Sequence, residues 1–554
     1  MDVRKITESL VRSGIKRKLE EWGIPGEIPV SVEIPKQEEH GDFSTNAALQ
    51  LAGILKRKPR DVALELLDPI RQEDSQGWFR DLSVAGPGFI NIMMSDEAWR
   101  KVLATALDKG ERFGSGGQRE GDTVLIEFVS ANPTGPLHVG HGRGAAVGDA
   151  LARILAFTGC HVTTEYYVND VGNQIDNLGK SLYARYLQLF GREIELPADG
   201  YRGEYLRELA REFHDEVGNR YLTADEEEAF PVFRKVACDR ILDGIRQDLE
   251  AFRVHFDRWF REESLHETGS ITAIVDELRD REQLYDSGGA VYFKSETHGD
   301  EKNRVLVRSD GRMTYFASDI AYHREKFRRG FSRMIDVWGA DHHGYAPRLY
   351  ASLRGLGEDD RRLDILLVQF VSLIRDGKSV QMSTRSGEFT TLREVMDEVG
   401  VDAARFFYLL RSFHSHLDFD LTLARTRSSE NPMYYIQYVH ARICSIFREA
   451  AERGVDVSEP PLLSVLSLPD EVNLMKKLAR FPDVVAEAAR ASEPHRIPFY
   501  LLDLSREFHA FYHNHRFLGE TPVRTRARLA LAEAVRSVVA TGLSLIGVSA
   551  PERM

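Results

Sequence analysis

Apolar residues recur at helical spacing from the start of the chain. Val3, Ile6 and Leu10 predict an opening helix. Gly41–Pro59 (GDFSTNAALQLAGILKRKP) predicts a second, capped helix ended by Pro59. Asp81–Met94 (DLSVAGPGFINIMM) then predicts a strand, a Gly-Pro-Gly turn and a strand. Residues 1–115 therefore read as a separate α+β unit, and the Gly-rich, charged run Gly110–Thr123 as a linker. Beyond it the pattern changes. Asp122–Val129 (DTVLIEFV) is a short apolar strand, Ala131–Pro136 (ANPTGP) breaks it, Leu137–Gly159 has helical character and His161–Val168 is a second strand. Strand, short loop, long helix and strand predict a Rossmann-like parallel sheet. The highly charged stretch of about 172–305 reads as a helical insertion, after which Arg333–Asp341 and Asp364–Ile374 resume the sheet. After about Leu421 only helical patterns remain. The expected architecture is a multidomain α/β protein. It has an N-terminal α+β domain (1–115), a parallel-sheet domain with a helical insertion (116–425) and a C-terminal all-α bundle (426–554).

At 554 residues the chain is too long for one ordinary domain. No apolar run approaches the ~20 residues that a membrane span needs. The charged start MDVRKITESLVRSG lacks the apolar centre of a secretion signal. Cys160, Cys238 and Cys444 lie far apart and form no CxxC pair, so neither a zinc knuckle nor a disulfide framework is indicated, and a reducing cytoplasm is the expected home. The net charge of −13 argues against non-specific nucleic-acid binding, which rests on phosphate neutralisation. It leaves a specific RNA partner open if a local basic face exists. Three basic stretches are candidates: Lys5, Arg12 and Lys16; His323–Arg333 (HREKFRRGFSR); and Arg516 with Arg524, Arg526 and Arg528. A solvated helix face is the simplest account of each.

The chemistry concentrates at His138-Val139-Gly140-His141, which follows a strand and a Pro/Gly loop and opens a helix. Histidines three apart share one face at the helix N-terminus. That end offers free backbone N–H groups and partial positive charge, which suits a phosphate. Gly140, Gly142 and Gly144 each cost about 1 kcal/mol of helix stability relative to Ala. Either a ligand approaches the backbone closely or the helix packs tightly on the sheet. A bare HxGH tetrapeptide is a weak signal; in this context it points to a nucleotide.

Ser130–Arg143 (SANPTGPLHVGHGR) resembles the extended HIGH motif of class I aminoacyl-tRNA synthetases, in the form typical of arginyl enzymes. Tyr315–His323 (YFASDIAYH), Val337–Arg348 (VWGADHHGYAPR), Gln381–Phe407 and Tyr434–Arg442 (YYIQYVHAR) agree, in the family's order. Phe508–Gly519 (FHAFYHNHRFLG) resembles the anticodon-binding bundle, and Glu33–Ala48 the extra N-terminal domain of arginyl enzymes. The resemblance implies ATP-dependent ligation of L-arginine to tRNA(Arg) by way of an arginyl-adenylate. It implies Mg²⁺ carried by ATP with no protein metal site, a monomer, an N-terminal domain touching the outer corner of the tRNA and a C-terminal domain reading the anticodon. His138 and His141 would contact the phosphates or adenosine, with Gly140, Gly339, Asp341, Met382 and Ser383 completing the ATP site. Glu127, Asn132, Tyr315, Asp319 and His342 match arginine-binding positions. A planar guanidinium pairs bidentately with a carboxylate, which suits Asp319. Asp319 could instead pair with Arg324, and Asn132 could be a turn residue before Pro133. Tyr434, Tyr435, Tyr438, Arg442 and Arg516 are the candidates for tRNA contact, by base stacking or edge hydrogen bonds, although the tyrosines could equally fill the bundle core.

One signature departs from the family. Where the KMSKS loop carries lysines that neutralise phosphates, this chain has Gln381-Met382-Ser383-Thr384-Arg385-Ser386, so Gln381 and Thr384 replace both lysines. Some members carry a compensating lysine three residues before the first HIGH histidine; here that residue is Gly135. Lys378 and Arg385 are the cations expected to supply the missing charge. Two other readings stay open: a degenerate relative that binds tRNA without charging it, and a class I enzyme for another amino acid. Cysteine is disfavoured because no zinc-type Cys/His cluster appears, and glutamate because acidic residues line the expected pocket.

Overall fold

The computed structural model describes all residues except 1, 27, 36, 118, 381–389 and 458. The N-terminal unit begins with α1 (Val3–Glu21), whose inward face is Val3, Thr7, Val11, Gly14, Ile15 and Leu19. After β1 (Phe43–Thr45) come α2 (Ala47–Leu55) and α3 (Pro59–Glu73), then β2 (Phe79–Ala85), β3 (Phe89–Met94) and α4 (Asp96–Lys109). The strands form an antiparallel sheet in the order β1-β3-β2. Pro59 does not end α2. The helix stops at Leu55, Lys56 turns left-handed, and Pro59 opens α3. A first-turn proline loses no helical hydrogen bond, which suits that place.

The central domain is built on β4 (Thr123–Glu127), α5 (Val139–Phe157), β5 (His161–Val168) and the helices α6 (Asn173–Gln188), α7 (Glu204–Val217) and α8 (Glu226–Ala251). The stretch read as a helical insertion is helical only that far. It continues with β6 (Arg258–Arg261), α9 (Glu263–Glu267), α10 (Ser270–Asp280) and an antiparallel sheet of β7 (Leu284–Ser287), β8 (Ala290–Phe293) and β9 (Arg304–Val307). Four residues reading RWFR are too short and too charged to show strand alternation, yet β6 pairs in parallel with Glu165–Val168 of β5. Next come α11 (Tyr315–Arg328), β10 (Arg333–Gly339), α12 (Ala346–Gly355) and β11 (Leu363–Val368). The resulting sheet is parallel throughout, in the order β11-β10-β4-β5-β6. Asp364–Ile374 does not lie in one sheet: β12 (Val371–Arg375) joins β13 (Lys378–Ser379) and β14 (Leu417–Asp420) in a smaller one. Between these strands run α13 (Leu392–Val399) and α14 (Val401–Tyr408). The chain ends in helices α15 (Leu421–Arg425), α16 (Pro432–Glu452), α17 (Pro469–Ala479), α18 (Phe481–Ala491), α19 (Arg496–Asn514) and α20 (Pro522–Leu545).

The Gly-rich linker is docked rather than free. Phe113 is buried and stacks on Phe481 of the bundle, ring centroids 6.4 Å apart. The N-terminal unit also packs on the bundle through the Asp42–Lys476 ion pair (2.6 Å) and the Arg100 Nε donation to the Leu466 carbonyl (3.1 Å). Among the described residues no helix is long and apolar enough to cross a membrane.

Beneath α11 the sheet holds a row of carboxylates. Glu165, Glu127 and Asp336 are register partners across β5, β4 and β10, and all are buried. Buried carboxylates need charged or hydrogen-bonding partners. The helix supplies them. Arg329 Nη1 reaches Glu165 at 2.6 Å, the single Tyr322 hydroxyl proton is shared between Glu165 (2.7 Å) and Glu127 (3.0 Å), and Lys326 lies between Glu127 and Asp336 (2.7 Å to the latter). His323 Nε2 lies 2.8 Å from Asp336 Oδ2. The basic stretch His323–Arg333 is therefore not a solvated face: Arg324 and Arg328 are also engaged, both with Glu277. Removing one partner of a buried ion pair typically costs about 3–5 kcal/mol. Lys326→Met should lower stability by that order, read as an earlier urea-unfolding transition. An unshifted transition would show that the row does not hold the helix.

Candidate active site

The order in which strands are added to the parallel sheet reverses at β4. From it the chain proceeds to β5 and β6 on one side, and β10 and β11 fill the other. Ligands of open α/β sheets bind at the carboxyl ends of strands flanking such a switch point. The segment that leaves β4 turns sharply, with Val129 and Ser130 left-handed at φ 67° and 39°. Neighbours hold it: the Ser130 hydroxyl donates to Glu127 (2.8 Å) and accepts from the Tyr167 N–H (3.1 Å), and Tyr166 OH donates to the Ala131 carbonyl (2.7 Å). Asn132 is exposed and donates to Gln174 (2.9 Å). Gly135 faces the insertion; a side chain there would meet Tyr205 at 3.4 Å.

His138 caps α5. Its Nδ1 accepts from the Gly140 N–H (3.0 Å), and His141 Nδ1 accepts from the His138 N–H (3.2 Å). The rings stack 3.7 Å apart. Two accepting Nδ1 atoms place the protons on Nε2. Burial lowers both pKa values, that of His141 to about 3, so both imidazoles are neutral near pH 7. A Cβ at Gly142 would strike Leu392 and Tyr408 at 2.7 Å, so Gly142 serves packing, whereas nothing lies within 4 Å of one at Gly144. Across the cleft, Gly339 ends β10, Asp341 and His342 follow it, and all three are exposed. His342 lies 3.6 Å from Asp341 and edge-on to Trp338.

Beside this cradle lies an acidic, aromatic pocket. Tyr315 opens α11, largely exposed, with its hydroxyl 2.7 Å from where a Cβ on Gly172 would sit. Asp319, one turn on, accepts from Tyr345 OH. It does not pair with Arg324, which is held by Glu277 and Glu358. Burial raises the Asp319 pKa. Glu262, between β6 and α9, is also buried, and burial together with the charge of Asp319 pushes its pKa up to about 7. A carboxyl whose pKa is raised by burial and by a neighbouring carboxylate marks a place that favours a cation. Glu127 lies beneath, its oxygens used by Ser130, Tyr322 and Lys326. Sequence reading missed Glu262 and Tyr345. Glu262 is one of many acids in a charged stretch with no spacing to mark it, whereas Tyr345 stood inside the quoted Val337–Arg348 run. Lys378 is exposed on β13; Gln381, Met382, Ser383, Thr384 and Arg385 lie outside the described residues.

A second cleft, of about 610 Å³, lies between α16 and α19. Tyr434 stacks on Tyr438 (6.3 Å), and the Arg442 guanidinium sits between the Tyr438 and Tyr512 rings, 4.4 and 4.3 Å from their centroids. These side chains line the cleft rather than the bundle core. Tyr435 packs half-buried on His509 (4.5 Å), and Arg516 is exposed in the turn after α19.

A nucleotide cradle at the switch point of a parallel sheet, with a side-chain pocket beside it, defines a class I aminoacyl-tRNA synthetase. The family model for the class I (R) catalytic domain of tRNA synthetases matches residues 103–407. The arginyl tRNA synthetase N-terminal domain model matches residues 9–94, and the DALR anticodon binding domain model residues 436–554. The chain belongs to the arginyl-tRNA synthetase family. It is 50% identical over 529 residues to the arginine–tRNA ligase of Desulfosudis oleivorans, covering 95% of each chain. A Campylobacter jejuni structure described as an arginyl-tRNA synthetase is 37% identical, with a TM-score of 0.77, over 83% of this chain and all of that one. The Thermus thermophilus arginyl-tRNA synthetase shares the fold over the whole of both chains, with a TM-score of 0.77 at 24% identity.

If a guanidinium ligand binds against Glu262, the raised pKa makes that binding pH-dependent. The cation stabilises the ionised form, so the affinity for free L-arginine should be full above about pH 7 and fall as protonation sets in below it. The limiting slope is about tenfold per pH unit. Equilibrium dialysis between pH 5.5 and 8 checks this, and Glu262→Gln should flatten the profile.

Proposed function

We propose that the chain activates L-arginine with ATP and transfers it to tRNA(Arg) in the cytoplasm as a monomer. The observation that carries the choice of amino acid is the Asp319–Glu262 pair beside the His138–His141 cradle. The guanidinium enters between the two carboxylates, with Tyr345 and Tyr315 alongside, and Asn132, His342 and the Glu127 loop position the rest of the amino acid. A carboxylate oxygen of arginine attacks the α-phosphorus of ATP. The new C(O)O–P bond forms as the bond to the bridging β-oxygen breaks, and diphosphate leaves with that electron pair. His138 and His141 act as neutral Nε2–H donors to the phosphates, with Gly140, Gly339, Asp341, Met382 and Ser383 around the nucleotide. Preorganised donors of this kind contribute several kcal/mol to a transition state that gathers charge on phosphoryl oxygens. Mg²⁺ carried by ATP neutralises phosphate charge when bound; among the described residues no His, Cys, Asp and Glu cluster is arranged to hold a metal. A ribose hydroxyl of the tRNA end then attacks the carbonyl carbon of the adenylate, and AMP leaves.

Lys378 and Arg385 take the place of the signature lysines absent at Gln381 and Thr384. The Tyr434–Tyr438–Arg442–Tyr512 stack fits unpaired bases, which stack on aromatic and guanidinium planes, and Arg516 adds charge nearby. The N-terminal unit contacts the outer corner of the tRNA.

Charging of total tRNA with each of the twenty labelled amino acids tests the reading. Arginine alone should be esterified. Another amino acid would mean that the acidic pocket is misread, and no charging with tRNA still bound would favour a degenerate tRNA-binding relative. Lys378→Ala and Arg385→Ala should each slow arginine activation by about a hundredfold. Full activity in both variants would remove these residues from the mechanism.

A further inference from the structure

Arg143, in the second turn of α5, is fully buried. A guanidinium carries five N–H donors and no acceptor, so burial demands acceptors around it. Among the described residues no carboxylate pairs with it. Nη1 donates to the carbonyls of Gln369 and Ser415, each at 2.8 Å, and Nη2 to that of Ser412 at 2.9 Å. Nε has no partner among them. Burial lowers the pKa to about 10, so the group remains cationic at neutral pH.

The positions of those three carbonyls matter. Gln369 lies just before β12, and Ser412 and Ser415 lie just before β14. The two strands pair in parallel, and β12 also pairs with β13, which ends two residues before Gln381. Arg143 therefore fastens the start of the small sheet to the helix whose first turn carries His138 and His141. A second fastening lies on the other side of the signature segment. The Leu392 N–H donates to the Leu137 carbonyl (2.7 Å), the Val139 N–H to the Thr390 carbonyl (3.2 Å), and His138 and Thr391 form an isolated bridge. The chain on both sides of residues 381–389 is thus tied to the N-terminal end of α5.

A buried charge with no counter-ion is an expensive space filler; an apolar side chain of similar volume avoids its desolvation. What the guanidinium adds is three directed donors that fix one body against another. We propose that Arg143 is a positioning residue for amino-acid activation, holding the strands that lead into the signature segment in register with the histidine cradle. It acts through backbone carbonyls and touches no substrate. This inference rests on the synthetase reading above.

Arg143→Met and Arg143→Lys, in the full-length protein, test it through arginine-dependent ATP–diphosphate exchange with tRNA(Arg) present. L-Arginine affinity by equilibrium dialysis and thermal unfolding are measured alongside, with the unaltered protein run in parallel. Displacement of catalytic parts by about 1 Å can cost about a hundredfold in rate. Arg143→Met should lower kcat by that order while arginine affinity stays unchanged, because the carboxylates proposed to hold the guanidinium, Glu262 after β6 and Asp319 on α11, are not among the groups that Arg143 fastens. Arg143→Lys keeps the charge but spans fewer carbonyls and should recover part of the rate. Exchange as fast as in the unaltered protein in either variant would overturn the proposal. So would kcat and arginine affinity falling together with the folded fraction. If Arg143→Met does not fold, Arg143→Lys carries the test by the same split of kcat from arginine affinity. No exchange in the unaltered protein would overturn the synthetase reading itself, and this inference with it.

Discussion

Three carboxylates in one register row, facing the cations of a single helix, set the position of the acidic pocket. Glu165, Glu127 and Asp336 repel one another in a medium of low dielectric unless Arg329, Lys326 and His323 stand over them. Charges at such depth tolerate little displacement, so α11 has one translation and one rotation on the sheet. Asp319 and Tyr315 lie toward the N-terminal end of that helix. Their placement is a consequence of the pairing of Tyr322, His323, Lys326 and Arg329 further along the same helix and just past its end.

The two halves of the candidate site follow opposite electrostatic rules. At the cradle, burial and backbone donors keep His138 and His141 neutral, so the end that would meet phosphates offers N–H dipoles rather than mobile protons. At the pocket, burial raises the pKa of both Glu262 and Asp319, and the charge of Asp319 raises that of Glu262 further, so a cation there would favour their ionised forms. An amphoteric amino acid fits that polarity, with its cationic side chain at one end and its reacting carboxylate at the other.

Much of this could be read from the residues. The strand–loop–helix around His138 was legible because its period changes abruptly and its loop is rich in Pro and Gly. Pro59 misled because proline marks a helix start as readily as a stop. Strand β6 was invisible: four residues with two arginines carry no alternation, and only the neighbouring strand makes them a strand. The basic run from His323 looked like surface because charge suggests solvent. Its partners are 10 to about 200 positions away in sequence, a distance no local pattern spans. Glu262 was hidden for the same reason.

The docking of the N-terminal unit on the final bundle carries a polymer-physical consequence. The Asp42–Lys476 pair, with Phe113 on Phe481, closes most of the chain into one noncovalent loop. The entropy lost in such closure grows only with the logarithm of loop length, so a loop this long is scarcely harder to close than one of half its size. The sheet domain between the two contacts is thereby held at both ends, like a bow by its string. Loosening either terminal domain reopens that loop and frees the ends of the middle domain, although the described residues of the histidine cradle and the acidic pocket all lie in the middle domain.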